Sequence, residues 1–430
     1  MSESNQTASA SSEEGRRSNV YLDANGGLPV SKCVLQEMET MCCCTNPSNT
    51  ISKAGKFAAT CYEKAEAHIL NLLTGRSDGS LIWKFIAISG ATEGIITSIT
   101  NGARNKGRTL HTDSADSADS ADSADSADIS VGYNGRILCL NGHHPVIDEI
   151  AERWPAMYGV ALNIEKCEPT VEAVTKKLAE ESEYRAIFIT LVASLTGRIA
   201  DSRSIADLFR MYCPNGIVIV DATQAIGKMP ITLEETGADV FLFSGHKFGA
   251  LKGIGGMVIR RSLLSRWLPL IPGSQQDGLR GGTHNVQGVI SMAIALKEAL
   301  HGLKTRAERT RATTAKICSL IEEAALPRVQ ILSPREGVAS TGNTILLSVP
   351  ICSRRIAKIM CNLGYDIGIG TACQTKESMR DKETDPANQQ PFLIRISMEA
   401  GQEVDAPAFV LALKKAYRSV LKQMVKELST

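Results

Sequence analysis

The chain has no uninterrupted apolar run near the ~18 residues that a helix needs to cross a bilayer, so no helical membrane span is expected. It also lacks net charge. Its 47 Lys and Arg against 46 Asp and Glu leave +1, which gives no electrostatic case for nucleic acid or an anionic membrane surface. The segment Met1 to Asn19 has no apolar core, which argues against a secretory signal, and Glu3, Glu13 and Glu14 argue against a transit peptide. Residues 1–19 read as a disordered tail, and the chain as cytoplasmic or nuclear. The 12 cysteines scatter along the chain without a secretory signal, so reduced thiols are expected rather than disulfides. Cys42-Cys43-Cys44 has no second Cys/His cluster to complete a metal site, so no metal is expected.

What is present is the composition of an ordinary folded protein, 43% hydrophobic and 22% charged over 430 residues. That length allows a large core and more than one domain. Between Ser31 and Leu73, Val34, Met38 and Met41, then Ala58, Tyr62, Ala65 and Ile69, fall at helical spacings. Leu81 to Ser89 reads as a strand and Ala91 opens a helix, a strand–turn–helix unit suited to an anion. Asp113 to Asp128 repeats Asp-Ser-Ala without a cation and reads as an acidic disordered loop. Short apolar runs at Arg136–Asn141, Ala186–Leu191 and Gly216–Val220 alternate with helical stretches, which predicts a mostly parallel sheet wrapped by helices. The expected division is a large domain over 20–284 and a smaller α+β domain over 285–430.

Two charged residues stand at the ends of apolar runs. Asp221 follows Ile217 to Val220, and Lys247 follows Val240 to Phe243 and a short turn. Open α/β sheets bind ligands at the C-terminal ends of their strands. A carboxylate and an amine placed there suit pyridoxal phosphate (PLP): the lysine forms the Schiff base and the carboxylate keeps the pyridine nitrogen protonated. On spacing alone, a plain salt bridge between two strand ends is an equal alternative.

Further motifs bear on that choice. They are Tyr21-Leu22-Asp23, Ser89-Gly90-Ala91-Thr92-Glu93-Gly94, Asp221-Ala222-Thr223-Gln224-Ala225, Ser244-Gly245-His246-Lys247, Gly278-Leu279-Arg280-Gly281-Gly282-Thr283-His284-Asn285, Gly370-Thr371-Ala372-Cys373 and Ile394-Arg395-Ile396-Ser397. In this order they resemble the cysteine desulfurase and selenocysteine lyase group of fold-type I PLP enzymes, from about residue 20 onward. The resemblance implies an α/β fold with a large PLP-binding domain and a smaller C-terminal one. It implies Lys247 as Schiff-base lysine and proton shuttle, Asp221 as pyridine partner and Gln224 on the ring hydroxyl. Ala91, Thr92, Ser244 and His246 would hold the phosphate, completed by Thr283 of a second subunit in a homodimer with a shared active site. His143-His144-Pro145-Val146-Ile147-Asp148 matches the family's ring-stacking histidine segment in a way that favours His143. Cys373 would be the acid or nucleophile, and Arg395 would hold the carboxylate of a small amino-acid substrate.

Two segments depart from the family. Ala193-Ser194-Leu195-Thr196-Gly197 stands where it has Asn-Asn-Glu-x-Gly, leaving Ser194 as a shorter donor near the substrate. Asn25-Gly26-Gly27-Leu28-Pro29 replaces a stretch carrying two hydroxyls. The expected function is a PLP-dependent lyase that converts selenocysteine, or cysteine, to alanine, with a preference for selenocysteine. The alternatives are a cysteine desulfurase that forms a Cys373 persulfide for a sulfur or selenium acceptor protein, and a non-catalytic member of the fold that binds a partner.

Overall fold

The computed structural model describes residues 19–104, 135–158, 161–181, 183–370 and 392–428. The Asp-Ser-Ala run and Cys373 lie outside them. In chain order the elements are β1 (Val20–Leu22), α1 (Lys32–Gln36), α2 (Met38–Cys42), α3 (Lys53–Thr74), α4 (Gly79–Ile82), β2 (Trp83–Ile88), α5 (Ala91–Ala103), β3 (Arg136–Leu140), α6 (Val146–Tyr158), β4 (Asn163–Cys167), α7 (Val171–Glu180), β5 (Tyr184–Thr190), α8 (Ser202–Tyr212), β6 (Ile217–Asp221), β7 (Val240–Ser244) and β8 (Gly255–Arg260). There follow α9 (Val286–Leu300), α10 (Leu303–Glu323), β9 (Gln330–Ser333), β10 (Thr344–Val349), α11 (Ser353–Asn362), β11 (Tyr365–Ile369), β12 (Phe392–Ser397) and α12 (Ala406–Leu428). None of the described helices is long and apolar enough to cross a membrane.

The larger sheet has seven strands in the order β2-β8-β7-β6-β5-β3-β4. β4 through β7 pair in parallel, and β8 runs antiparallel to both its neighbours. Both faces are covered, so the central strands need apolar residues at every position. On one face Leu138, Ile187, Val218 and Phe241 pack with α3, α8 and α9. On the other, Ile137, Phe188, Ile219 and Leu242 pack with α5 and α6. α3 shows how local sequence sets an element. Ser52 caps its start by accepting from Gly55 N, Gly75 ends it in the left-handed conformation, and Ala58, Tyr62, Ala65 and Ile69 form its buried stripe.

The second sheet has five strands in the order β1-β11-β12-β10-β9, with its own core around Ile345, Ile394, Ile396 and Phe409. Two details differ from the division expected at residue 284. β1 pairs with β11, so the start of the chain belongs to the smaller sheet. α9 belongs to the larger unit, because Val286, Val289, Met292 and Leu296 are buried in the same core as Ile69 and Leu73 of α3. Sequence order set the expected boundary, whereas the apolar stripe of α9 sets the observed one.

Gly255 is placed where no side chain fits. A Cβ there would lie 2.7 Å from both Gly90 Cα and Phe243 O, and backbone cannot swing aside as a side chain can. The turn before α5 rests directly on the sheet for this reason. Gly255→Ala is expected to cost about 1–3 kcal/mol, read as a lower melting temperature. Because the turn at Gly90 must shift to make room, the same variant is expected to bind phosphate-bearing ligands more weakly in a titration.

Candidate active site

The C-terminal ends of β5, β6 and β7 bring Thr190, Asp221 and Ser244 to one edge of the larger sheet, beside the start of α5. Ala91 N at that start donates to Ser244 Oγ at 2.8 Å. Ser89 N donates to Glu93 Oε2 at 2.8 Å, and buried Glu93 pairs with Arg280 at 3.1 Å. These contacts fix the turn at the start of α5, the positive end of the helix, where an anion is favoured. Thr92 is exposed there, and Gly245 to Lys247 form a single helical turn directly after β7.

Asp221 is 6% exposed. Its Oδ1 accepts from Thr223 N at 2.9 Å. Burial raises its carboxyl above the usual carboxylate range, against the pull of Thr223 and the charges of His144 and Lys247. Lys247 Nζ donates to two backbone carbonyls, Asn25 O at 2.8 Å and Gly26 O at 2.9 Å. Burial, with Lys247 and Lys252 nearby, lowers the His246 imidazole to about 4, so it is neutral near pH 7.

The two adjacent histidines separate. His143 turns to its own strand and helix, with Nδ1 against Leu140 O and Nε2 against Asp148, each at 3.2 Å. His144 is the one that shares a field with Asp221 and Lys247, and burial lowers its pKa. Its Nδ1 accepts from Val146 N at 3.2 Å. The turn into α6 commits the His143 ring to Asp148. His143 also lines a cavity of about 350 Å³ with Thr190, Ala193 and Ser194.

Arg395 is buried on β12. It pairs with Asp23 at 2.6 Å through Nη2 and reaches Ser194 O at 3.3 Å through Nη1. Its Nε has no partner among the described residues. Gln224 donates through Nε2 to Asn25 O at 3.0 Å, and its Oε1 accepts from Lys228. Thr283 is exposed.

Sequence reasoning missed Asn25 and Lys228. Asn25 is buried and meets both sheets: Nδ2 donates to Ser194 O and to Thr344 Oγ1, each at 2.9 Å, and its N donates to Ser397 Oγ at 3.0 Å. The one available signal was that Asn25 opens the segment that departs from the family pattern.

The donor set fits PLP. A buried carboxylate suits a ring cation, the amides before α5 suit a phosphate, and an amine stands near both. The hydroxyl of Thr190 is buried without a partner among the described residues, as a polar group that faces a ligand would be. A family model described as aminotransferase class-V matches residues 141–402.

The chain belongs to the class-V aminotransferase family.

The cofactor of that family is pyridoxal phosphate. Curated relatives of this class-V protein include a cysteine desulfurase IscS of Actinobacillus succinogenes, 26% identical over 68% of this chain and 66% of its own length. A cysteine desulfurase of Rhodobacter capsulatus is 30% identical over 45% of this chain and 50% of its own. One of Gluconacetobacter diazotrophicus is 43% identical over 21% and 23%. The chain thus spans between about a quarter and two thirds of the relatives it matches. Solved structures with the same fold include a NifS-like protein of Rickettsia africae, with a TM-score of 0.72 at 20% identity, covering 93% of this chain and 99% of that one. The apo structure of a cysteine desulfurase from Thermococcus onnurineus gives 0.71 at 15% identity, covering 93% and 95%.

Asp221 costs stability when no ligand faces it. The folded chain holds its proton to higher pH than the unfolded chain does, so the stability from this group is full below the ordinary carboxylate range. It is lost as pH rises through the raised value. Without cofactor, Asp221→Asn is expected to be more stable than the parent at neutral pH by about 1–2 kcal/mol. The difference should close towards about pH 4. Denaturant melts at several pH values measure it, and an Asn variant less stable than the parent at neutral pH would contradict this account of the site.

Proposed function

We propose that this protein is a PLP-dependent lyase that takes the chalcogen from cysteine or selenocysteine and leaves alanine. The observation that carries the reading is that the segment 23–26 ties the two sheets together at this place, with Lys247 on Asn25 O and Gly26 O beside the β6 end that bears Asp221, and Arg395 of β12 on Asp23, in a chain whose curated relatives are named cysteine desulfurases. PLP supplies an electron sink for charge that develops at the substrate Cα.

The chain's own residues do the rest. Lys247 Nζ, held by the carbonyls of Asn25 and Gly26, would be the amine that holds the cofactor and the group that moves the substrate Cα proton. Asp221 would keep the pyridine nitrogen protonated, and that cation would add to the Thr223 N–H its buried carboxylate already accepts. Ala91, Thr92, Ser244 and His246 would hold the phosphate, beside the start of α5. His144 would face the ring, since His143 is held by Leu140 O and Asp148. Arg395 steers the substrate carboxylate, with Asp23 and Ser194 O orienting its guanidinium. Cys373 takes the sulfur as a persulfide for an acceptor protein, and with selenocysteine it serves as an acid. Thr283, exposed on this protomer, completes the phosphate site of a second copy in a homodimer.

Lys247→Ala is expected to lose both turnover and the visible absorbance of the lysine-bound cofactor. Retention of that band would remove Lys247 from its role.

Cys373 distinguishes the substrates. Sulfur leaves cysteine only by transfer to a thiolate, whereas selenium is the better leaving group. Cys373→Ala is therefore expected to make no alanine from cysteine while keeping some from selenocysteine, and the parent is expected to prefer selenocysteine. Alanine measured with each substrate tests both expectations. Cysteine turnover at the parent rate would show that another thiol acts.

A further inference from the structure

Lys228 has no part in the chemistry described above. It follows Gly227 in the turn that leaves β6, four residues after Gln224, and it is only 5% exposed. Its Nζ donates to Asn25 Oδ1 at 2.8 Å and to Gln224 Oε1. Burial pushes the ammonium well below the usual lysine range, the charges of Lys247 and Arg395 add to that, and Asp23 opposes it. Holding a lysine in such a place costs stability, and a core of apolar residues would fill the space at less cost.

The pairing decides how Gln224 can act. Both acceptors of Lys228 are amide oxygens, which only accept. With Oε1 occupied by Lys228 and Nε2 on Asn25 O, the Gln224 amide is fixed at both ends. Nε2 carries two N–H groups and spends one on Asn25 O, so one remains to give.

We propose that Lys228 is a positioning residue that clamps the Gln224 amide, so that the bound cofactor meets a donor N–H and never the amide carbonyl. This rests on the cofactor reading above. A ring oxygen that meets a fixed donor is stabilised in its ionised form, and it holds the proton it shares with the Lys247 nitrogen less strongly. Asn25 extends the clamp, since one residue receives Lys228, Gln224 and Lys247.

The test is a pH titration of the visible band in the cofactor-loaded protein. The charged groups around this node are Lys247, Arg395 and Asp23 beside Lys228, and Asp221 with His144 on the other side of Lys247. None of them changes in the variants used. Lys228→Met is expected to raise the midpoint by about one pH unit, the size of a lost hydrogen bond to a charged group. Gln224→Ala is expected to raise it by a similar amount, and adding Lys228→Met to Gln224→Ala is expected to raise it no further. A midpoint unmoved by Lys228→Met overturns the proposal. So does an equal shift in both backgrounds, which would mean that Lys228 acts through its charge and not through Gln224. If Lys228→Met does not fold, a crystal structure of the loaded parent decides. Lys228 Nζ on Gln224 Oε1, with Gln224 Nε2 on the ring oxygen, is expected, and any other pairing overturns the proposal. A parent protein that shows no visible band overturns the cofactor reading itself, and this proposal with it.

Discussion

The hydrogen bonds of Asn25 hold the molecule's two halves to one site. Its backbone carbonyl accepts from Lys247 and Gln224, groups set by the ends of β6 and β7. Its side chain reaches Lys228 and Ser194 in the larger unit and Thr344 of β10 in the smaller one. Its amide N reaches Ser397 at the end of β12. An amide is suited to this position because it donates and accepts at once without bringing a charge of its own. An aspartate there could not donate to Ser194 O or Thr344 Oγ1, and an alanine would leave Lys228 with a single partner. The segment reaches this position because β1 is tied to β11, so the first strand of the chain delivers Asn25 from the smaller sheet into the larger.

Around that junction the structure gathers more charge than its interior favours. Lys228, Lys247 and Arg395 lie near Asp23 and Asp221. Arg395 is matched by Asp23, while Asp221 has a backbone N–H and the fields of His144 and Lys247. Such groups are costly in an empty fold and become favourable once a ligand of complementary charge is seated, which is the usual relation between stability and function at an active site. The neutral state favoured for His144 and His246 has the same origin in burial. It keeps two more cations out of a crowded region.

The two departures from the family pattern meet at this junction as well. Gly27 adopts φ +149°, where a side chain is strained, and a Cβ there would lie 3.1 Å from His246. A Cβ at Gly26 would meet Asp23 Oδ2 at 2.5 Å. The paired glycines thus let this stretch lie close against the Lys247 turn, where Gly26 O receives the amine. Across the cleft, Ser194 contributes its carbonyl rather than its hydroxyl to Asn25 and Arg395. In both segments it is a backbone carbonyl that accepts from the site's donors.

The sequence by itself determined the alternation of buried strands and helices, the strand ends that carry Asp221 and Lys247, and the stripe of α3. Each is a local pattern whose period or end point is written in consecutive residues. It also determined the family, because several motifs follow one another in order. Only the tertiary structure separated the partners of His143 and His144. Neighbours in a turn point apart, and the start of α6 commits the first ring to Asp148 while the second accepts from Val146 N. Only the tertiary structure placed the three residues of β1 in the smaller sheet and α9 in the larger core, since those pairings join residues hundreds of positions apart. Lys228 is the sharpest case. A lysine in a turn reads as a solvated side chain, and here it is buried because a segment from the far end of the chain folds over it and supplies Asn25 as its partner.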